Sequence, residues 1–214
     1  MKEGEGLSEL ELDALKEIMN IGFGQAAVAL SEGIDLRVML SVPRITVLES
    51  EKIRPFIDAE MVFSPSSSYC MVEEGFHGKV SGKALLLLPQ SETSVFAASL
   101  GLGGEKGAAG TRLAGLGEGT FLEIGNILVG ACVGKVAELF DDQVLFRPPS
   151  YTPPPIDADG MEKRLGAEGD IALVFKTLFN FGKEDVCSFL FLVVSEYGIG
   201  WVRQAVAAYL EGLS

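Results

Sequence analysis

Apolar residues recur at helical spacing near the start of the chain. On a wheel of about 100° per residue, Leu12, Leu15, Ile18, Met19, Phe23, Ala26 and Leu30 share an arc about 140° wide. Ser8 is placed to cap this helix, and Glu11 three residues on completes a capping box. The pattern then shortens to strand-like runs. A short strand, LRVMLSV (36–42), is followed by a proline-led extended segment, PRITVLE (43–49). Two apolar strands come next, at roughly 60–74 and 81–89, and a helix over 91–102 closes the set. The same order returns further on. A second long helix leads to QVLFRP (143–148), PSYTPPPI (149–156), strands at 170–180 and 186–195, and a closing helix over 198–213. NFGKED (180–185) reads as a hairpin turn, and GGEKGAAG (103–110) as a flexible joint.

This recurrence is an internal repeat. Glu17 aligns with Glu123, an offset of 106 residues that also pairs Ile18 with Ile124 and Asn20 with Asn126. It further aligns Gly24 with Gly130 and Pro43 with Pro149. Each half carries E-x2-N-x22-P, a pattern that average residue usage starts at about one position in ~10⁴. Two copies, with their flanking matches, indicate duplication. The expected fold class is α/β, a two-layer arrangement in which a helix–strands–helix unit is duplicated with pseudo-two-fold symmetry. The sheet is expected to be mainly antiparallel, because each strand pair is linked too tightly for a crossover helix. The repeats span about 8–102 and 112–214 and are expected to fuse into one domain over 1–214.

Composition narrows the function. A formal net charge of −13 leaves no basic footprint for nucleic acid or an anionic membrane surface. The longest strongly apolar runs, ALLLL (84–88) and FLFLVV (189–194), are too short to span a bilayer and read as buried strands. The N-terminus has neither the basic nor the apolar region of a signal peptide. Cys70, Cys132 and Cys187, widely spaced, read as reduced thiols of a cytoplasmic protein. A zinc site, a Ser-His-Asp triad or a Cys-His dyad would each have to use His77, the one histidine. Its setting, EEGFHGKVSG, reads as a wet strand or hairpin. GLGEG (115–119) does not follow an apolar strand and is discounted as a nucleotide site.

The chemistry is expected on the helices. Asp13, Glu17, Asn20 and Gly24 fall within about 60° of one another, opposite the apolar arc. Asn is a poor mid-helix residue, costing about 0.6 kcal/mol relative to Ala. Its presence at two equivalent places points to use. An amide can accept from and donate to one water at once, which suits orienting a nucleophilic water. A carboxylate nearby can act as a base or pair with a partner's cation. Gly24 and Gly130, one turn on, either admit a partner's backbone or let the two long helices pack together. In the second helix, Thr120 and Glu123 form a capping box of their own, but repeat symmetry favours a start near residue 112.

The pattern D-x3-E-x2-N-x22-P, at Asp13, Glu17, Asn20 and Pro43, resembles the phosphatase signature of the CheC family of chemotaxis proteins. That family includes CheX and the middle domains of the flagellar switch proteins FliM and FliY. The resemblance covers nearly the whole chain, duplication included. Two complete halves and a length near that of CheC place it nearest CheC, with no room expected for the C-terminal switch domain of FliY and FliM-type proteins. The resemblance implies hydrolysis of the phosphoaspartate of the response regulator CheY, a two-component receiver. Asn20 and Asn126 would each place the attacking water, and Glu17 and Glu123 would each pair with the receiver's lysine. The Mg²⁺ would belong to the receiver, so no cofactor is expected here, and CheD is an implied further partner. Two departures stand out. Gly119 occupies the first motif position in the second half, and Met19 precedes Asn20 where Gly is usual and is expected to crowd an approaching receiver. The rival expectation is a non-catalytic protein that binds CheD or flagellar switch components.

Overall fold

The computed structural model describes residues 7–34, 37–61, 69–89, 112–138, 142–165, 169–181 and 184–212. The expected helix over 91–102 and the joint over 103–110 lie outside the described residues. The first half contains α1 (Glu9–Ile34), β1 (Val38–Leu40), β2 (Arg44–Glu49), α2 (Ser50–Glu60), β3 (Tyr69–His77) and β4 (Ser81–Pro89). The second contains α3 (Arg112–Glu138), β5 (Leu145–Phe146), β6 (Ser150–Thr152), α4 (Ala158–Leu165), β7 (Asp170–Phe181), β8 (Glu184–Ser195) and α5 (Glu196–Gly212).

The capping box forms as expected. The Ser8 N–H donates to Glu11 Oε2 at 2.7 Å, and the Glu11 N–H donates to Ser8 Oγ at 3.3 Å. The second long helix starts at Arg112, as repeat symmetry favours, so Thr120 and Glu123 lie inside it rather than at its start.

The eight strands form one antiparallel sheet in the order β1-β7-β8-β4-β3-β5. β2 lies beside β1 on β7, and β6 lies beside β5 on β3. The edge strands of each half therefore pair with the hairpin of the other half. The two hairpins meet at the centre, where β4 pairs with β8 from Gly82↔Val194 to Leu87↔Phe189.

Each face of the sheet is covered by helices. On one face α1, α3 and α5 bury Leu15, Ile18, Phe23, Leu128 and Val202 against Leu86, Phe175 and Leu190. On the other, Ile53 and Ile57 of α2 and Met161 and Leu165 of α4 cover Leu85, Leu87, Phe189 and Phe191. The expected two layers become three, because α2 and α4 form after the proline-led segments, where no helix is expected from the sequence. Burial on both faces explains why β4 and β8 are continuous apolar runs rather than alternating ones. Cys70 and Cys132 are buried, Cys187 is partly so, and none of the three is in a disulfide. Burial pushes the Cys70 thiol up to about 12, which keeps it protonated and inert.

Candidate functional site

α1 and α3 lie side by side on the outside of the molecule, and the repeated motif occupies their outer faces. The wheel is reproduced: Leu15, Ile18, Met19, Phe23, Ala26 and Leu30 are buried, with Leu12 packed at the margin. Asp13, Glu17 and Gly24 are exposed and Asn20 is half-buried. On α3, Glu123 and Asn126 are exposed and Gly130 is half-buried. Among the described residues, Glu17, Asn20, Glu123 and Asn126 make no side-chain hydrogen bond or ion pair with the rest of the protein.

The supporting residues divide. Asp13 is held by Lys16, with Nζ at 2.7 Å from Oδ1. Its counterpart Gly119 has open space where a side chain would stand. Gly24 and Gly130 likewise face nothing within 4 Å. Helix packing is therefore not what keeps them small. That role belongs to Gly22, where an added Cβ would sit 3.1 Å from the Ala131 carbonyl oxygen of α3. Pro43 is buried and Pro149 half-buried, and each stands between the two segments of an edge strand rather than on the helix face. There each removes a donor from the ladder, which is tolerated at an edge.

Met19 requires a correction. Its side chain is fully buried, at 0% exposure, so it points into the core and cannot crowd a partner. The equivalent Gly125 is small for an internal reason, since a Cβ there would fall 2.5 Å from Cγ1 of Val72 on β3. α3 thus lies closer to its strand than α1 does, and the Met/Gly difference follows from that spacing.

No group of three or more His, Cys, Asp or Glu residues able to hold a metal occurs among the described residues. The outer face of α1 and α3 presents a neutral amide and a carboxylate, twice, to whatever docks on it. Residues 10–47, which contain the first copy, match the model of the CheC-like family.

Over these residues the chain is CheC-like.

This CheC-like chain is 30% identical over 152 residues to the flagellar motor switch phosphatase FliY of Bacillus subtilis (strain 168). The match takes in 69% of the chain but 36% of that protein, so the chain spans about a third of the length of its curated relative. Its fold is similar to that of Thermotoga maritima FliY, with a TM-score of 0.64 at 19% identity over 96% of this chain and 98% of that one. It is also similar to the fold of FliM in a FliG–FliM complex from H. pylori, with a TM-score of 0.60 at 11% identity over 92% and 100% of the two chains.

α3 also contains a 21-residue stretch, Glu118–Glu138, long and apolar enough to cross a bilayer. Its apolar side is occupied, because Phe121, Ile124, Leu128, Val129, Cys132 and Val133 are all buried in the core.

Proposed function

We propose that the protein dephosphorylates a CheY-like receiver domain, using the outer faces of α1 and α3 as two equivalent sites. The observation that supports this most is the pair of Glu–Asn constellations at symmetric places on adjacent helices, Asn20 half-buried and Glu17, Glu123 and Asn126 exposed, with no side-chain hydrogen bond or ion pair to them among the described residues. A receiver docked on either face brings its phosphoaspartate, its Mg²⁺ and its lysine. Asn20 or Asn126 accepts from and donates to one water and holds it in line with the phosphoryl group. Glu17 or Glu123 pairs with the receiver's lysine and fixes the approach. Hydrolysis in trans needs no cofactor bound to this chain. The reaction belongs in the cytoplasm, where receiver domains are phosphorylated.

The test is phosphate release from phosphorylated CheY. Replacing both asparagines by alanine is expected to lower the rate by about 10²-fold, the range for losing one group that acts on the attacking nucleophile. Asn20→Ala alone is expected to cost more than Asn126→Ala, because the second site has Gly119 in place of Asp13. Undiminished release by the double variant removes the proposal.

A second reading is favoured by the likeness to FliM, which in the H. pylori structure is complexed with FliG. In that reading the chain is a non-catalytic interaction protein for flagellar switch components or CheD. It predicts capture of FliG or CheD with no phosphate release above the receiver's own rate.

A further inference from the structure

The duplication supplies an internal control for every surface of the molecule, and one surface departs from its counterpart. On β3, residues 73, 75 and 77 share the face of Met71, which belongs to the α2/α4 side, whereas Val72 belongs to the α1/α3 side. Beyond the cover of α2 and α4 this face opens into a cleft of about 500 Å³, lined in part by Gly75, His77, Ser81, Lys83, Arg147 and Ser150. That volume lies within the range of small-molecule sites, about 300–1,000 Å³.

The counterparts can be read from matching hydrogen bonds. The Arg147 N–H donates to the Gly75 carbonyl at 2.8 Å, as the Ser41 N–H donates to the Leu178 carbonyl at 3.0 Å. His77 contacts Ser81 across its hairpin at 2.8 Å, as Asn180 contacts Asp185 at 2.8 Å. Gly75 is paired with Lys83, as Leu178 is paired with Cys187. One end of the sheet face therefore holds Leu178 and Cys187, and the other holds Gly75, Lys83 and Arg147. Where one end carries a leucine side chain the other carries none, and two cations line the space there.

These cations are organised. The Arg147 side chain lies over Gly75, where a Cβ would meet its Cδ at 3.2 Å. Arg147 Nη2 donates to His77 Nε2 at 2.8 Å. On its other ring nitrogen, His77 Nδ1 lies 2.8 Å from Ser81 Oγ. This holds the guanidinium in place while leaving further N–H donors unused. Lys83, on the strand beside Gly75, has no ion-pair partner among the described residues. The nearby Glu73 is already engaged by Arg164 at 3.1 Å, and Asp170 stands elsewhere in the lining. In a chain of net charge −13, two cations flanking one glycine without a shared carboxylate form a local exception.

We propose that this cleft binds a small oxyanion, a phosphate or carboxylate group carried by a small molecule, between Lys83 and Arg147. It lies across the sheet from the Glu–Asn faces and stands independently of the phosphatase reading. The test is an amide ¹H–¹⁵N titration of the full chain with inorganic phosphate and, separately, with citrate, each against sodium chloride at equal ionic strength. Saturable shifts at Gly75, His77, Lys83 and Arg147 with either ion are expected, and the tighter ion names the ligand's acidic group. K83M/R147M is expected to weaken binding about tenfold or more. G75L, which restores the leucine of the other half, is expected to abolish it without removing any charge. Absence of saturable shifts with both ions, equal shifts with sodium chloride, or binding undiminished in both variants overturns the proposal.

Discussion

Three glycines on the long helices separate packing from docking. Gly125 is small because Val72 is in the way, at 2.5 Å from the place of a Cβ. Gly125→Ala forces α3 off β3 and is expected to cost about 1–3 kcal/mol, read as a lower urea midpoint. Gly24 and Gly130 have open space in front of them, so Gly24→Ala or Gly130→Ala meets no such obstacle. Each is expected to add about 0.5–1 kcal/mol of helix stability. If a partner's backbone approaches there, each also slows phosphate release from CheY. A stabilised variant with unchanged turnover removes docking as their reason. The helical wheel was enough to place Asp13, Glu17, Asn20 and Gly24 outward, because the apolar arc of α1 is wide and regular. It also placed Met19 in the core, and a buried side chain cannot crowd a partner. No wheel could explain why its counterpart is Gly125, since that depends on how near α3 lies to β3.

The paired strands β3 and β7 show how duplicated elements diverge. Thr177 on β7 is buried and satisfied, donating from Oγ1 to the Ser41 carbonyl at 2.9 Å. The same place on β3 holds Glu74, which is 1% exposed with neither carboxylate oxygen bonded. Its neighbouring edge residue is Arg147, whose side chain turns to the opposite face toward His77. Burial pushes the Glu74 carboxyl up to about 7 from an ordinary value of 4.5. The folded protein therefore keeps a proton that the unfolded chain releases above about 4.5. Stability falls as pH rises through that interval, and the full penalty applies above about 7. Glu74→Gln is expected to leave the urea midpoint near pH 4 almost unchanged and raise stability at pH 8 by about 1–3 kcal/mol. A pH profile identical to that of the parent protein would show that Glu74 finds a partner in solution. Strand existence was legible from the apolar runs, and β4 was located at 81–89 directly. α2 and α4 were not. Each presents few apolar contacts, Ile53 and Ile57 in one and Met161 and Leu165 in the other, and Pro55 interrupts the donor pattern of α2. The cleft beside Gly75 was hidden for a related reason, because it requires the register between β3, β4 and the segment around Arg147.

For the whole molecule, the strand order decides whether two sites can act independently. β1 and β2 complete the second half's hairpin, and β5 and β6 complete the first half's. The β4–β8 seam and the contact of α1 with α3 at Gly22 and Ala131 join what remains. Neither half can close its sheet or cover its apolar face alone. A fragment carrying residues 1–102 or 112–214 would expose unpaired edges and the faces of Leu86 and Leu190. Each fragment is expected to lack a cooperative urea transition by far-UV circular dichroism, while the full chain unfolds in one step. A sharp transition from either fragment would show that the halves are separate domains. One cooperative unit would have a consequence for the proposed phosphatase activity. A change such as Gly125→Ala, which strains α3 where it meets β3, lowers the population of the folded state that carries both Glu–Asn faces. In a partly denaturing concentration of urea, phosphate release should therefore fall at the α1 site in step with the α3 site. With Asn126→Ala already present, so that only the first site remains, Gly125→Ala should still lower the rate there in proportion to the folded fraction. A first site that stays fully active while α3 melts would break the link between the two halves.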